Sequence, residues 1–251
     1  IYGLVFDYQV PAVAYEEHWS RIMLRAATAS IAFAHAPAVH DLPTYLSLRA
    51  CDVEPVLHIV QHQNLDFSLT SENVFIDAVP TSLSPLRFSG QPYCVVNVSA
   101  SPLKPDCAWS VERVVEVCKI LVHHYPELMV FVTGAPLEQA KVEAAVAAVG
   151  SPHCQALMLP LLPISAVIAG AKFVLTPDTA VVHIASAAGV PVVGLYSQLR
   201  SIAEWYPYQS PFALLLSPNE GSINQIPTSL VHEALERVRS ETKISLVHAK
   251  P

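Results

Sequence analysis

From Tyr93 onward the chain alternates between two hydrophobic rhythms. Short, nearly unbroken apolar runs cover 94–99, 128–133, 155–160, 172–176 and 190–196. Between them, apolar residues recur every three or four positions. A run of four to eight apolar residues suits a strand buried on both faces, as in a parallel sheet. The longer spacing suits a helix with one apolar face, and Val114, Val117, Cys118 and Leu121 show it within a helix predicted over 111–123. Further helices are predicted over 137–149, over 164–169, directly after Asp178, and over 229–239. Repeated β-α units in this order predict an α/β domain with a parallel, Rossmann-like sheet and right-handed crossovers.

The first 89 residues follow a looser pattern. They read as a strand at 4–7, a helix over 16–29, a short strand at 30–33, and helices at 42–48 and 58–63. The stretch 80–92 holds Pro80, Ser82, Ser84, Pro85, Gly90 and Pro92 and reads as a linker. Gly3 alone precedes Gly90, whereas seven of the eight glycines lie from Gly90 onward. The expectation is two regions, 1–89 and 90–251. Ile1 opens without a methionine into what reads as an interior strand, so a preceding segment is expected.

Composition narrows the function classes. Hydrophobic residues make up 52% of the 251 and charged residues 14%, which argues against disorder. A formal net charge of −7 with scattered Lys and Arg offers no basic surface for nucleic acid and no polybasic membrane patch. Mean hydropathy is +0.40, and two stretches, 144–171 and 179–199, lack charge. The first is broken by Gly150-Ser151-Pro152, Pro160 and Pro163, the second by His183 and Gly189-Val190-Pro191. Neither is a continuous span of about 20 apolar residues. The five cysteines, Cys51, Cys94, Cys107, Cys118 and Cys154, show no CxxC spacing and read as reduced, mostly buried thiols. His123-His124 reads as a helix-end dipole partner, and no metal site is expected.

Candidate chemistry gathers where predicted strands end, because ligands of open α/β sheets bind at strand carboxyl ends and helix amino ends. After 94–99 the loop carries Ser99, Ser101 and Lys104. After 128–133 come Thr133 and Gly134, and after 172–176 come Asp178 and Thr179, with His183 one turn on. Each has a plain structural alternative. Taken alone, Lys104 reads first as a solvated loop lysine and His183 as a packed histidine, Asp178 and Thr179 read equally as N-cap residues, and Gly134 as a strand terminator. GxGxxG is absent. The residues alone therefore describe a nucleotide- or phosphate-binding domain.

Their order goes further. Asp178, Thr179, His183, Ala185, Ala187, Gly189 and Pro191 match D-[ST]-G-x-x-H-x-A-x-A-x-G-x-P between two strands. In this the chain resembles glycosyltransferase family 9, the lipopolysaccharide heptosyltransferases that use ADP-heptose. Ser99, Ser101, Lys104 and Trp109 resemble the family's phosphate loop, VFVTGAP its strand ending in Gly-x-Pro, and YGLVFDYQ a later strand of its N-terminal domain. Trp205 and Pro207 keep its later aromatic-proline feature. The chain departs from the pattern at Ala180, in place of glycine, and at Tyr196-Ser197-Gln198-Leu199, in place of Phe-Gly-Pro-Thr.

The resemblance implies a GT-B fold of two Rossmann-like parallel-sheet domains, the first incomplete here. It implies inverting, metal-independent transfer of heptose from ADP-heptose to a lipopolysaccharide core, with no cofactor beyond the ADP-sugar substrate. Ser99, Ser101 and Lys104 would hold the diphosphate, helped by the amides of Thr179 and Ala180. Thr133 and Gly134 would line the nucleotide site, and Leu161, Leu162 and Pro163 would flank adenine. Asp178 would meet sugar or ribose hydroxyls, and His183 would orient its loop. Lys104 and Asp178 are thus the residues nearest the chemistry, and the catalytic base is expected ahead of Ile1. The partners implied are a nucleotide-sugar donor and a lipid-linked oligosaccharide acceptor, met in the cytoplasm at the inner face of the cytoplasmic membrane. Two other readings stay open: a transferase of this fold using another nucleotide sugar, and a non-catalytic GT-B protein used for binding or assembly.

Overall fold

The computed structural model describes residues 88–207, 210–240 and 245–247, together with the short segment 67–69. The strands and helices expected before residue 67 lie outside the described residues. Within the expected linker 80–92, strand β2 (Phe88–Gly90) pairs antiparallel with β1 (Phe67–Leu69), so that part of it is sheet.

The next elements in chain order are β3 (Tyr93–Asn97), α1 (Val111–His124), β4 (Met129–Thr133), α2 (Gln139–Val149) and β5 (Cys154–Ala156). They are followed by α3 (Leu161–Gly170), β6 (Val174–Pro177), α4 (Ala180–Ala187), β7 (Val192–Tyr196) and α5 (Leu199–Trp205). The described chain ends with β8 (Phe212–Leu216), α6 (Thr228–Ser240) and β9 (Ser245–Val247). Strands β3 to β9 form one parallel sheet in the order β5-β4-β3-β6-β7-β8-β9. The chain grows outward from β3 to β5, then returns to the other side of β3 with β6. That reversal opens a crevice at the carboxyl ends of β3 and β6.

Alternating side chains of β3 show why its apolar run is unbroken. Cys94 and Val96 enter one layer with Val117 and Leu121 of α1, Val142 of α2 and Leu235 of α6. Tyr93 and Val95 enter the other with Val167 of α3, Ala185 of α4 and Ile202 of α5. All five residues of β3, β4 and β7 are buried, as a sheet covered on both faces requires. Each fully buried Leu or Val contributes about 1.5–3 kcal/mol relative to exposure. Among the described residues no helix is long and apolar enough to cross a membrane. The four described cysteines are free and buried.

Several bounds differ from expectation. Helix α3 starts at Leu161 rather than residue 164, because a proline in the first turn lacks only an amide that would have no helical partner there. Correspondingly β5 is short, ending at Ala156. Helix α2 starts at Gln139, after a 3-10 turn over Pro136–Glu138. The apolar run Phe212–Leu216 forms β8, and Leu199–Trp205 forms α5; neither was expected.

The Gly-x-Pro that closes the motif has a structural cause. Helix α4 ends in a Schellman turn: the Val190 amide donates to Ala185 O at 2.9 Å and the Gly189 amide to Ser186 O at 3.0 Å. Gly189 takes φ +70°, and its position is otherwise open, with nothing within 4 Å of an added Cβ. Pro191 then leads into β7, its carbonyl accepting the Val174 amide at 2.9 Å. Gly189→Ala therefore carries a backbone cost alone, expected to lower the unfolding free energy by about 1–2 kcal/mol in denaturant titration. An unchanged midpoint would contradict the strained-turn account.

On the same helix, the His183 ring meets the Trp205 ring of α5 edge-on, with centroids 5.6 Å apart. Burial pushes the His183 pKa below its ordinary value, and the nearby Asp178 carboxylate opposes that shift only in part. The unfolded chain then binds a proton that the folded chain refuses. Stability from this residue is full above about pH 6.5, the unfolded value, and is lost as pH falls toward the folded one. Unfolding at pH 7.5 and 5.5 should show a smaller acid loss for His183→Gln than for the wild type; equal losses would refute it.

Candidate functional site

The crevice is built by two loops. The first leaves β3 at Asn97 and stays in register with β4 for one more residue, the Val98 amide donating to Thr133 O at 2.9 Å. It then crosses the end of β6: Cys107 Sγ lies 3.3 Å from Ser197 Oγ, just past β7, the strand beyond β6. Within this crossing, Ser101 shapes a turn, accepting the Leu103 amide on Oγ at 3.3 Å and the Lys104 amide on its carbonyl at 2.8 Å. The turn carries Lys104 over the second loop, which leaves β6 at Pro177.

There Lys104 Nζ lies 2.8 Å from Asp178 Oδ2. The Asp178 side chain is 6% exposed and that of Lys104 43%. The ammonium thus neutralises a carboxylate that is almost out of water and keeps two further N–H donors. Asp178 is fixed by its own amide, which donates to Leu195 O of β7 at 3.0 Å. Two plain alternatives fail here. Lys104 is not a merely solvated lysine, and Asp178 is not the helix cap. Thr179 caps α4, its Oγ1 accepting the Val181 amide at 3.4 Å. Ala180 follows as the first helical residue, so the amides of Thr179 and Ala180 head the helix, where partial positive charge collects.

Ser99 and the end of β4 form the adjoining wall. Ser99 Oγ donates to Glu138 Oε2 at 2.6 Å and accepts the Ala135 amide at 2.7 Å. The same amide also reaches Glu138 Oε2, at 3.1 Å. Gly134 sits inside this knot, where an added Cβ would lie 3.2 Å from both Glu138 Oε2 and a Val98 methyl. Thr133, buried at the end of β4, lies in register with Asn97. Leu161 opens α3 at the end of β5, two strands from β3, and is 60% exposed. Leu162 and Pro163 share that first helical turn. The structure thus gathers Ser99, Lys104, Thr133, Gly134, Asp178, Thr179 and Ala180 around the β3/β6 crevice. It sets 161–163 further along the same sheet edge and His183 against Trp205.

Two residues of this site were not foreseen. Asn97 ends β3 with its side chain buried, bonded to Thr176, Thr179 and Ser99. The signal was its presence inside an apolar run, since a buried amide needs partners. Glu138 lies four residues past Gly134, and without the fold nothing ties it to Ser99. Among the described residues no group of three or more His, Cys, Asp or Glu is arranged to hold a metal ion. Chemically, the site brings together the Lys104 ammonium, a helix amino end and hydroxyl groups, with a carboxylate at either side.

No curated protein matches the chain's sequence. The sequence profile of glycosyltransferase family 9 (heptosyltransferase) matches residues 40–228. A family 9 glycosyl transferase from Veillonella parvula DSM 2008 is similar in structure, with TM-score 0.59 and 14% identity, over 81% of this chain and 56% of that one. The E. coli ADP-heptose lps heptosyltransferase II follows with TM-score 0.52 and 21% identity, over 64% of this chain and 55% of that one. E. coli heptosyltransferase WaaC with ADP gives TM-score 0.51 and 20% identity, over 61% of this chain and 46% of that one. At such identities the likeness is one of fold, and the chain spans about half the length of these solved relatives. The profile match, covering well over half of the chain and including the whole β3/β6 crevice, shows that this chain belongs to glycosyltransferase family 9, the heptosyltransferases.

Proposed function

We propose that this chain supplies the donor-binding half of an inverting, metal-independent glycosyltransferase that moves heptose from ADP-heptose to a lipopolysaccharide core acceptor. The observation that carries the reading is the Lys104–Asp178 pair, 2.8 Å apart across the switch-point crevice at the head of α4. The E. coli heptosyltransferase WaaC, similar in fold, was solved with ADP and with ADP-2-deoxy-2-fluoro heptose, which supports an ADP-sugar as the ligand here.

In this reading the diphosphate lies between the Ser99–Lys104 loop and the amides of Thr179 and Ala180. Lys104 gives it the N–H donors that Asp178 does not use. Asp178 holds the ammonium in place and presents its second oxygen to sugar or ribose hydroxyls. Adenine lies toward 161–163, where Leu161 is exposed. During transfer the bond from sugar C1 to the β-phosphate oxygen breaks, and both electrons leave with the phosphate. The acceptor oxygen bonds C1 from the opposite face and gives its proton to a base outside the described residues. The new charge on the departing ADP falls next to Lys104 and the helix amides, fixed donors that need no reorganisation. A lipid-linked acceptor would bring the enzyme to the inner face of the cytoplasmic membrane.

Calorimetry with ADP on the full chain tests this. Wild type should bind, and Lys104→Ala should weaken binding by about tenfold or more, as expected for a lost charge-assisted bond beside a newly unpaired carboxylate. Wild-type protein that ignores millimolar ADP would sink the donor assignment. In a thermal-shift series ADP should raise the melting temperature more than UDP or GDP; a larger shift with either would point to a different nucleotide sugar.

A further inference from the structure

We infer that Asn97 is a positioning residue of the donor site, turning the Thr179 hydroxyl into an obligate donor aimed at an anionic ligand. The inference rests on the donor-site reading above. Asn97 is the last residue of β3 and is 1% exposed. An amide buried in an apolar strand is costly unless all of its groups are bonded. Its Oδ1 accepts the Ser99 amide at 3.2 Å, and its Nδ2 donates to Thr176 Oγ1 at 2.9 Å and Thr179 Oγ1 at 3.1 Å. The orientation is dictated by chemistry. A backbone amide can only donate, so the atom facing Ser99 is the oxygen and the nitrogen faces both threonines.

That orientation fixes the polarity of the hydroxyls. Thr176 Oγ1 accepts from Asn97 and donates to Pro177 O at 2.9 Å. Thr179 Oγ1 accepts from Asn97 and from the Val181 amide, which fills both of its lone pairs. Its own hydrogen must then be given away. Within the site the acceptor in reach is Thr176 Oγ1, at a long 3.3 Å, a bond that a phosphate oxygen would replace with a stronger one. Through one buried side chain, the loop that carries Ser99 is also tied to the cap of α4. Asn97 therefore sets both the spacing of the two diphosphate walls and the direction of the hydroxyl between them, without touching the ligand.

A double-mutant cycle on ADP affinity tests this, using the full chain with folding checked by circular dichroism and melting. Asn97→Leu and Thr179→Val should each weaken ADP by about tenfold, one polar bond's worth. The double variant should be no weaker than the worse single, because both remove the same directed hydroxyl. Thr179→Ser should restore most of the affinity, since it keeps the hydroxyl. Adenosine, which lacks the phosphates, should compete equally with a labelled ADP probe in wild type and Asn97→Leu once each is referred to its own ADP affinity. Unchanged ADP binding in folded Asn97→Leu, or additive losses in the double variant, overturns the inference while leaving the donor site standing. Failure of wild type to bind ADP overturns the donor reading itself. If Asn97→Leu does not fold, Asn97→Asp keeps the shape but accepts where the amide donated. It should weaken ADP by more than tenfold, and wild-type affinity in that variant also overturns the inference.

Discussion

Because β3 pairs with β6 on one side, as it does with its chain neighbour β4 on the other, two loops from distant parts of the chain end side by side at one sheet edge. Register makes the pairing specific: Val95 faces Val174 and Val96 faces Leu175, both strands buried on both faces. A slip of one residue would turn each apolar set to the opposite layer. Slipping would also part the buried Asn97 Nδ2 from its acceptor on Thr176. Packing thus fixes the spacing of the loops to within a hydrogen-bond length, and the polar groups at the strand ends inherit that precision. The candidate site needs no rigid framework of its own.

The Lys104–Asp178 pair has to be weighed in that setting. Desolvation of the carboxylate offsets much of the Coulombic gain, and a half-exposed ammonium adds little to fold stability. A leucine or methionine pair would cover the end of β6 at lower cost. A charged residue held there by a loop that crosses β6 and is tied to β7 through Cys107 and Ser197 makes better sense as a prepared cation than as a stabilising contact. Glu138 repeats the pattern on the neighbouring wall, where its carboxylate gathers the Ser99 hydroxyl and the Ala135 amide. Internal hydrogen bonds thus hold the side chains on both sides of the crevice.

The parallel sheet was legible because buried strands leave unbroken apolar runs and the helices between them keep their 3.6-residue spacing. The motif from Asp178 to Pro191 was legible for a local reason: Gly189 must take a left-handed conformation to close a Schellman turn, so spacing records geometry. Strand β8 was missed because five consecutive apolar residues, Phe212–Leu216, carry no alternation that separates strand from buried helix. The start of α3 was misplaced because Pro163 reads as a break, although the first helical turn accepts it. Within the site, Asp178, Thr179 and Lys104 could be named but not joined, since a 74-residue separation leaves no trace in sequence. The roles of Asn97 and Glu138 depend wholly on tertiary neighbours.

The two departures from the family pattern are both absorbed by the structure. Ala180 is the first residue of α4, following the extended cap residue Thr179, and alanine is a better helix former than glycine. Its methyl costs room at the helix head rather than backbone conformation. Three residues of the Tyr196-Ser197-Gln198-Leu199 segment are anchored. The Tyr196 hydroxyl donates to Trp205 O at 2.9 Å, Ser197 meets Cys107, and the Leu199 amide donates to Glu220 at 3.0 Å. Glu220 reaches that amide from a loop in which Asn219 and Glu220 both hold positive φ, 54° and 53°, a conformation that costs free energy in non-glycine residues and persists only where neighbours enforce it. The substituted turn has therefore acquired its own supports instead of being left loose. Through Ser197 those supports reach the loop that presents Lys104. The substituted segment at the end of β7 and the loop that holds Lys104 over Asp178 therefore lean on each other through one contact.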